Sequence, residues 1–152
     1  MPQYWLMKSE PDTFSIDDLE RLGSTPWDGV RNYQARNYMQ SMKVGDLVLF
    51  YHSNADPPGV AGIAQVTKKA HPDVTAQDEK SKYYDPKATP ENPRWFCVEV
   101  SFVEKLPRLI PLGELKTTKG LESMIVVRKG SRLSVTPVTA KEWKALAKVY
   151  RA

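Results

Sequence analysis

Leu47-Val48-Leu49-Phe50-Tyr51 is an apolar run with no polar interruption, and it limits the folds open to this chain. A strand with one wet face alternates, whereas a strand apolar on both faces has to be covered on both. The chain therefore needs a sheet with material packed on each side. Its other strand-like segments are short. They are residues 4–7, residues 60–66 and residues 95–103, in which Phe96, Val98, Val100 and Phe102 alternate with Trp95, Cys97, Glu99 and Ser101. Val126-Val127 and Arg132-Leu133-Ser134-Val135 are further strand candidates. The small residues of 60–66 predict a tight barrel corner or a close approach of backbone.

Three helices announce themselves by their ends. Ser15 can cap a helix that Gly23 closes, with Asp17 and Asp18 at its positive end. Asn32 caps a second, running to about residue 42, with Ala35, Tyr38, Met39 and Met42 as its apolar stripe. Thr139 caps a third, to about residue 150, with Trp143, Leu146, Ala147 and Tyr150 on one side. Residues 111–115 read as a helical turn. Five or six short strands with few spans long enough for βαβ crossovers predict an α+β fold. It would be a strongly curved, mostly antiparallel sheet or small barrel with peripheral helices. No linker divides residues 1–152, so one domain is expected. Residues 70–94 are polar and proline-bearing, and a loop of that length in a compact domain usually serves function.

Composition excludes several classes. The 41% hydrophobic and 26% charged residues are globular averages, and no run approaches the ~18 apolar residues of a membrane helix. The N-terminus lacks the pattern of a signal peptide. The lone Cys97 cannot form an internal disulfide and reads as a buried thiol in a reducing, hence cytoplasmic, setting. With His52 and His71 it makes too small a set for zinc, and no metal or cofactor is expected. The net charge of +4 is uneven. Residues 1–76 carry 7 Lys/Arg against 9 Asp/Glu, and residues 77–152 carry 15 against 9. A basic half permits a polyanionic partner without demanding one.

No hydrolase, metalloprotease, nucleotide-loop or dithiol motif is present. Neither histidine has an obvious serine or cysteine nucleophile partner in the sequence. Glu10, Asp28 and Asp85 are explained more simply by caps, turns and arginine pairing than by acid–base work. What stands out is Trp27-Asp28-Gly29-Val30-Arg31-Asn32-Tyr33-Gln34-Ala35-Arg36-Asn37-Tyr38. Flat aromatic faces beside guanidinium and amide groups suit a planar, hydrogen-bonding ligand such as a nucleobase. Further polar groups stand at element ends: Lys8-Ser9-Glu10, Arg31-Asn32, Ser53-Asn54, Arg94-Trp95 and Ser131-Arg132-Leu133-Ser134. Strand ends on one rim of a small barrel meet in space.

These blocks, together with Tyr4-Trp5-Leu6-Met7-Lys8-Ser9-Glu10-Pro11, Phe50-Tyr51-His52-Ser53-Asn54, Asp85-Pro86-Lys87, Pro93-Arg94-Trp95 and Arg132-Leu133-Ser134-Val135, resemble the signature blocks of the EVE domain in order and over nearly the whole chain. The resemblance implies a PUA-like fold, related to the YTH RNA-binding domain, with a pocket for a modified base, most often a modified cytosine in DNA. It implies Trp27 as an aromatic wall, and Arg31, Asn32, Ser53 and Asn54 as polar readers or phosphate contacts. Lys8, Ser9, Arg94, Trp95, Arg132 and Ser134 would form the rim.

The expectation is thus a non-catalytic, monomeric module that binds modified DNA, or RNA, by flipping a base. Two alternatives stay open: an RNA-binding accessory module of translation or RNA modification, and an enzyme on a small nucleotide-like ligand using His52, Glu10 or Asp85.

Overall fold

The computed structural model describes residues 2–130 and 132–151; Ser131, among the polar residues named above, lies outside them. A six-stranded sheet is built from β1 (Tyr4–Ser9), β2 (Ser24–Pro26), β3 (Leu47–His52), β4 (Gly59–Pro72), β5 (Phe96–Pro111) and β6 (Val135–Val138). Their spatial order is β2-β5-β4-β3-β1-β6. The β1–β3 pair is parallel and every other pair antiparallel. With β2 and β6 as free edges, the sheet does not close into a barrel.

Four helices flank it: α1 (Ile16–Leu22), α2 (Tyr33–Ser41), α3 (Leu112–Thr117) and α4 (Ala140–Tyr150). Their ends follow local chemistry. Ser15 and Asp18 form a reciprocal capping box on α1, as Thr139 and Glu142 do on α4. Asn32 accepts from Ala35 N–H at 2.9 Å to start α2. Among the described residues no helix is long and apolar enough to cross a membrane.

The apolar run is covered on both faces, as its composition required. Val48 and Phe50 join Trp5, Met7, Ile16, Leu19 and Met39 in a core under α1 and α2. Leu49 and Tyr51 join Leu6, Ile63, Leu115 and Leu146 in a second core under α3 and α4. Phe50 is wholly buried, so its truncation to alanine is expected to cost about 3–5 kcal/mol. Trp5 is fixed as core, with its indole N–H donating to the buried Asp46 at 3.0 Å.

Two expectations change and one holds. The β4–β5 ribbon runs well past residues 66 and 103, and the extension of β5 buries Leu106 and Ile110 in the second core. Its register shifts at several places, and such irregularities bend a ribbon. Ile125, Val126 and Val127 form a 3-10 turn rather than a strand; so short an apolar run has no usable period. Gly62 confirms the close approach predicted for residues 60–66, since a Cβ there would stand 2.5 Å from Ile16 Cδ1.

Candidate nucleic-acid interface

Beyond the end of β1 the chain turns through Glu10–Phe14, and β2 delivers Trp27 to the same side of the sheet. Between them opens a cleft of about 570 Å³. It is lined by Lys8, Ser9, Phe14, Trp27 to Arg31, Lys82, Tyr83 and Ser134, among others. Of the eleven residues selected from sequence, five are brought together here: Lys8, Ser9, Trp27, Arg31 and Ser134.

Trp27 is both wall and core. It is 8% exposed, its ring meets Phe50 edge-on at 5.4 Å, and its backbone N–H donates to Val98 O at 2.8 Å. The indole N–H groups of Trp5 and Trp95 are tied to Asp46 and Asp85. That of Trp27 has no acceptor among the described residues.

Arg31 lines the cleft but is not a free cation. All five of its N–H groups are engaged: two with Tyr83 O at 3.1 and 2.8 Å, one each with Val30 O and Asp73 Oδ2 at 3.0 Å, and one with Thr75 Oγ1 at 3.3 Å. Each of its donors is thus already in use within the chain. Arg31 clamps the Tyr83 loop against the Trp27 segment.

The remaining six residues lie outside the lining, each for a visible reason. The Asn32 side chain is used as the α2 cap. Ser53 donates its backbone N–H to Ser9 O at 2.9 Å, and Asn54 gives its amide to Glu10 Oε1 at 3.3 Å. Both therefore stand behind the rim. Arg94 Nη2 donates to the Tyr33 hydroxyl at 2.6 Å, and its Nε lies 3.1 Å from Asp85 Oδ2 without hydrogen-bond geometry. Trp95 is 6% exposed and stacks on Tyr33 at 4.9 Å, with its N–H on Asp85 at 2.7 Å. Arg94 and Trp95 thus anchor the base of the long excursion that presents Tyr83. Arg132 is exposed and lines neither this cleft nor its neighbour.

Sequence reasoning missed Tyr83 as a wall and set Asp28 aside. Gly29 carries the signal for the first: φ is +80°, and a Cβ would stand 2.6 Å from the Tyr83 ring. Asp28, exposed at the cleft, makes no ion pair and accepts no side-chain partner among the described residues. Partial burial, then repulsion from Asp73, raises its pKa above the ordinary carboxylate range, and Arg31 only partly offsets them. Lys8 is lowered by burial.

Two of the three acid–base candidates, His52 and Asp85, are engaged in structural contacts. His52 Nε2 accepts from Ile16 N–H at 3.1 Å, and burial lowers its pKa. Asp85 is held by Trp95, Lys87 and Arg94. Burial, with Asp73 and Asp28 nearby, pushes the Cys97 thiol up to about 12, which leaves it unreactive near neutrality.

The open six-stranded sheet with its flanking helices is an α+β fold that matches solved EVE-domain structures, with the cleft at its rim. Residues 3–149 match the EVE domain model, and the chain belongs to that family. It is 42% identical to human thymocyte nuclear protein 1 over 94% of its own length and 72% of the relative's, and 44% identical to the zebrafish (Danio rerio) protein of that name over 94% and 71%. The structure of human thymocyte nuclear protein 1 in complex with 5-methylcytosine-containing DNA superposes with a TM-score of 0.92. It is 40% identical, covering 99% of this chain and 98% of that one. The expectation of a cytoplasmic protein is overturned here, since these curated relatives are named nuclear proteins.

Proposed function

We propose that this chain is a non-catalytic module that takes one C5-modified cytosine of DNA into the cleft beside Trp27. A relative 40% identical throughout, solved with 5-methylcytosine-containing DNA, supports this reading, and so does the form of the cleft. Its volume of about 570 Å³ falls in the range of small-ligand sites. Trp27 and Tyr83 both line it and supply aromatic faces. The Asp28 carboxyl can accept from the cytosine 4-amino group, whereas the 4-oxo group of thymine presents only an acceptor.

The energetics are consistent with a reader. Extruding a base costs a few kcal/mol, and stacking on an aromatic returns roughly 1–3 kcal/mol. Backbone contacts must supply the rest. The engaged states of His52, Asp85 and Cys97 favour binding over chemistry.

The carrying observation is the open hollow against the Trp27 indole. Titration with 5-methyl-2′-deoxycytidine, 2′-deoxycytidine and thymidine, followed by tryptophan fluorescence, tests it. The methylated cytidine should bind most tightly, and Trp27→Phe should weaken it several-fold while the fold persists. Equal affinity for all three nucleosides, unaffected by Trp27→Phe, would overturn the reading.

A further inference from the structure

A second cleft, of about 720 Å³, shares Lys8 with the first. Its wall carries Lys116 at the end of α3, and Arg128 and Lys129 after the 3-10 turn. Its floor is apolar, with Val126 and the Tyr51 ring. The one carboxylate in the lining, Glu122, is turned toward its own turn and accepts from Gly120 N–H at 3.0 Å with both oxygens. None of the four cations is ion-paired with a described residue. The Lys8 ammonium lies 5.9 Å from the centre of the Tyr51 ring. Lys116, Arg128 and Lys129 are exposed.

Four cations without a carboxylate partner among the described residues, of which Arg128 donates one N–H to Ser123 O at 3.1 Å, stand above an apolar floor and suit one kind of ligand in particular. A phosphodiester strand carries a charge at each step and an apolar sugar face between charges, and its binding is dominated by phosphate neutralisation. An acidic peptide would match the charges too, but the junction at Lys8 favours the strand. A base seated in the first cleft drags its flanking phosphates to that junction. We infer that the second cleft holds the phosphodiester strand adjoining the base in the first cleft, with Lys116, Arg128 and Lys129 on successive phosphates and Lys8 at the corner. This rests on the proposed base-binding function of the Trp27 cleft. It also supplies the backbone contacts that base extrusion requires.

The test uses the full chain, a single-stranded oligonucleotide carrying one 5-methylcytosine, and the free nucleoside 5-methyl-2′-deoxycytidine. The charge-removing double variant Lys116→Gln/Lys129→Gln is compared with Lys141→Gln/Lys144→Gln, an equal charge loss on the exposed side of α4. Thermal melting checks that both remain folded. The cleft variant should bind the oligonucleotide about tenfold more weakly at moderate salt, and the slope of log affinity on log salt should fall by about 1.4. The α4 variant should change the slope little, and the nucleoside should bind all three proteins alike. Unchanged oligonucleotide affinity and slope in the cleft variant would overturn the inference. So would an equal effect of the α4 variant, which would mean a diffuse field rather than a cleft. Failure of the wild type to prefer the methylated nucleoside would instead strike the base-binding function, while the salt slopes would still report on the second cleft.

Discussion

Arg31 donates from Nη1 to Asp73 Oδ2 at 3.0 Å, and the same oxygen accepts from Gly29 N–H at 2.8 Å. One buried carboxylate thereby ties the segment after Trp27 to the start of the excursion that presents Tyr83. Burial opposes ionisation of Asp73, but hydrogen bonds from Thr75, Gly29 and Arg31 outweigh it and leave the pKa below the ordinary value. Removing the carboxylate strands a partly buried guanidinium, so Asp73→Ala should lose about 2–4 kcal/mol at pH 7. An acid with a lowered folded pKa stabilises above its unfolded value, and that contribution fades as pH falls through the folded one. Urea denaturation should therefore show the gap between wild type and variant at pH 7 and its narrowing in acid, below about pH 3.9. A gap that is absent at neutrality, or that is no smaller in acid, would contradict this account.

Gly29 should not tolerate a side chain. The positive φ costs an L residue about 1–2 kcal/mol, and the added Cβ would meet the Tyr83 ring at 2.6–2.8 Å. Gly29→Ala is expected to destabilise by about 2–3 kcal/mol and to weaken nucleoside binding by displacing the wall. Adding Tyr83→Ala should recover part of the stability, because the overlap is gone, but none of the binding. Recovery of both in the double variant would mean that Tyr83 plays no part in the site.

The fold was legible where its signals are local. The caps of α1, α2 and α4 lie within three residues of what they cap, and the run 47–51 states its own double burial. The three-residue β2 has too few positions for any period, and in residues 104–111 only Leu106 and Ile110 are buried, too sparse a set to show alternation. In the site, Trp27 was visible because an indole in a polar turn is unusual. The state of Arg31 was not. A free guanidinium and one with five partners have the same sequence, and its partners Asp73, Thr75 and Tyr83 lie 42–52 residues away. The packing of Arg94 and Trp95 was hidden for the same reason, since Tyr33, 61 residues from Arg94, meets both of them.

His52 should act as a structural acceptor and not as an acid. Its Nε2 receives the Ile16 N–H at 3.1 Å, and burial leads the causes that lower its pKa, with Asp17 opposing. Protonation would remove that acceptor. A histidine with a lowered folded pKa stabilises above its unfolded value of about 6.5 and loses this as pH falls below it. Wild-type stability should decline on that limb, while His52→Gln should show a flatter one. Nucleoside affinity at pH 7.5 should survive the substitution. An essential dependence of binding or of any turnover on His52 would reopen an enzymatic role.

Asp28 is where stability and recognition should part. Its pKa is raised by burial first and by Asp73 second, so the ionised form is disfavoured in the folded state. For an acid of that kind, ionisation weakens the fold at neutral pH, and the penalty disappears as pH falls through the folded pKa. The group is exposed, so the effect is small: Asp28→Asn should stabilise at pH 7 by less than about 1 kcal/mol, with the difference vanishing in acid. Recognition should move the other way. An amide presents both a donor and an acceptor, so Asp28→Asn should narrow the preference for 5-methyl-2′-deoxycytidine over thymidine, two ligands that share the methyl group and differ at position 4. A gain in stability with the full preference retained would remove Asp28 from the reading of the base edge and leave selectivity to the walls. Loss of affinity for both nucleosides in equal measure would instead make the carboxylate a support of the cleft.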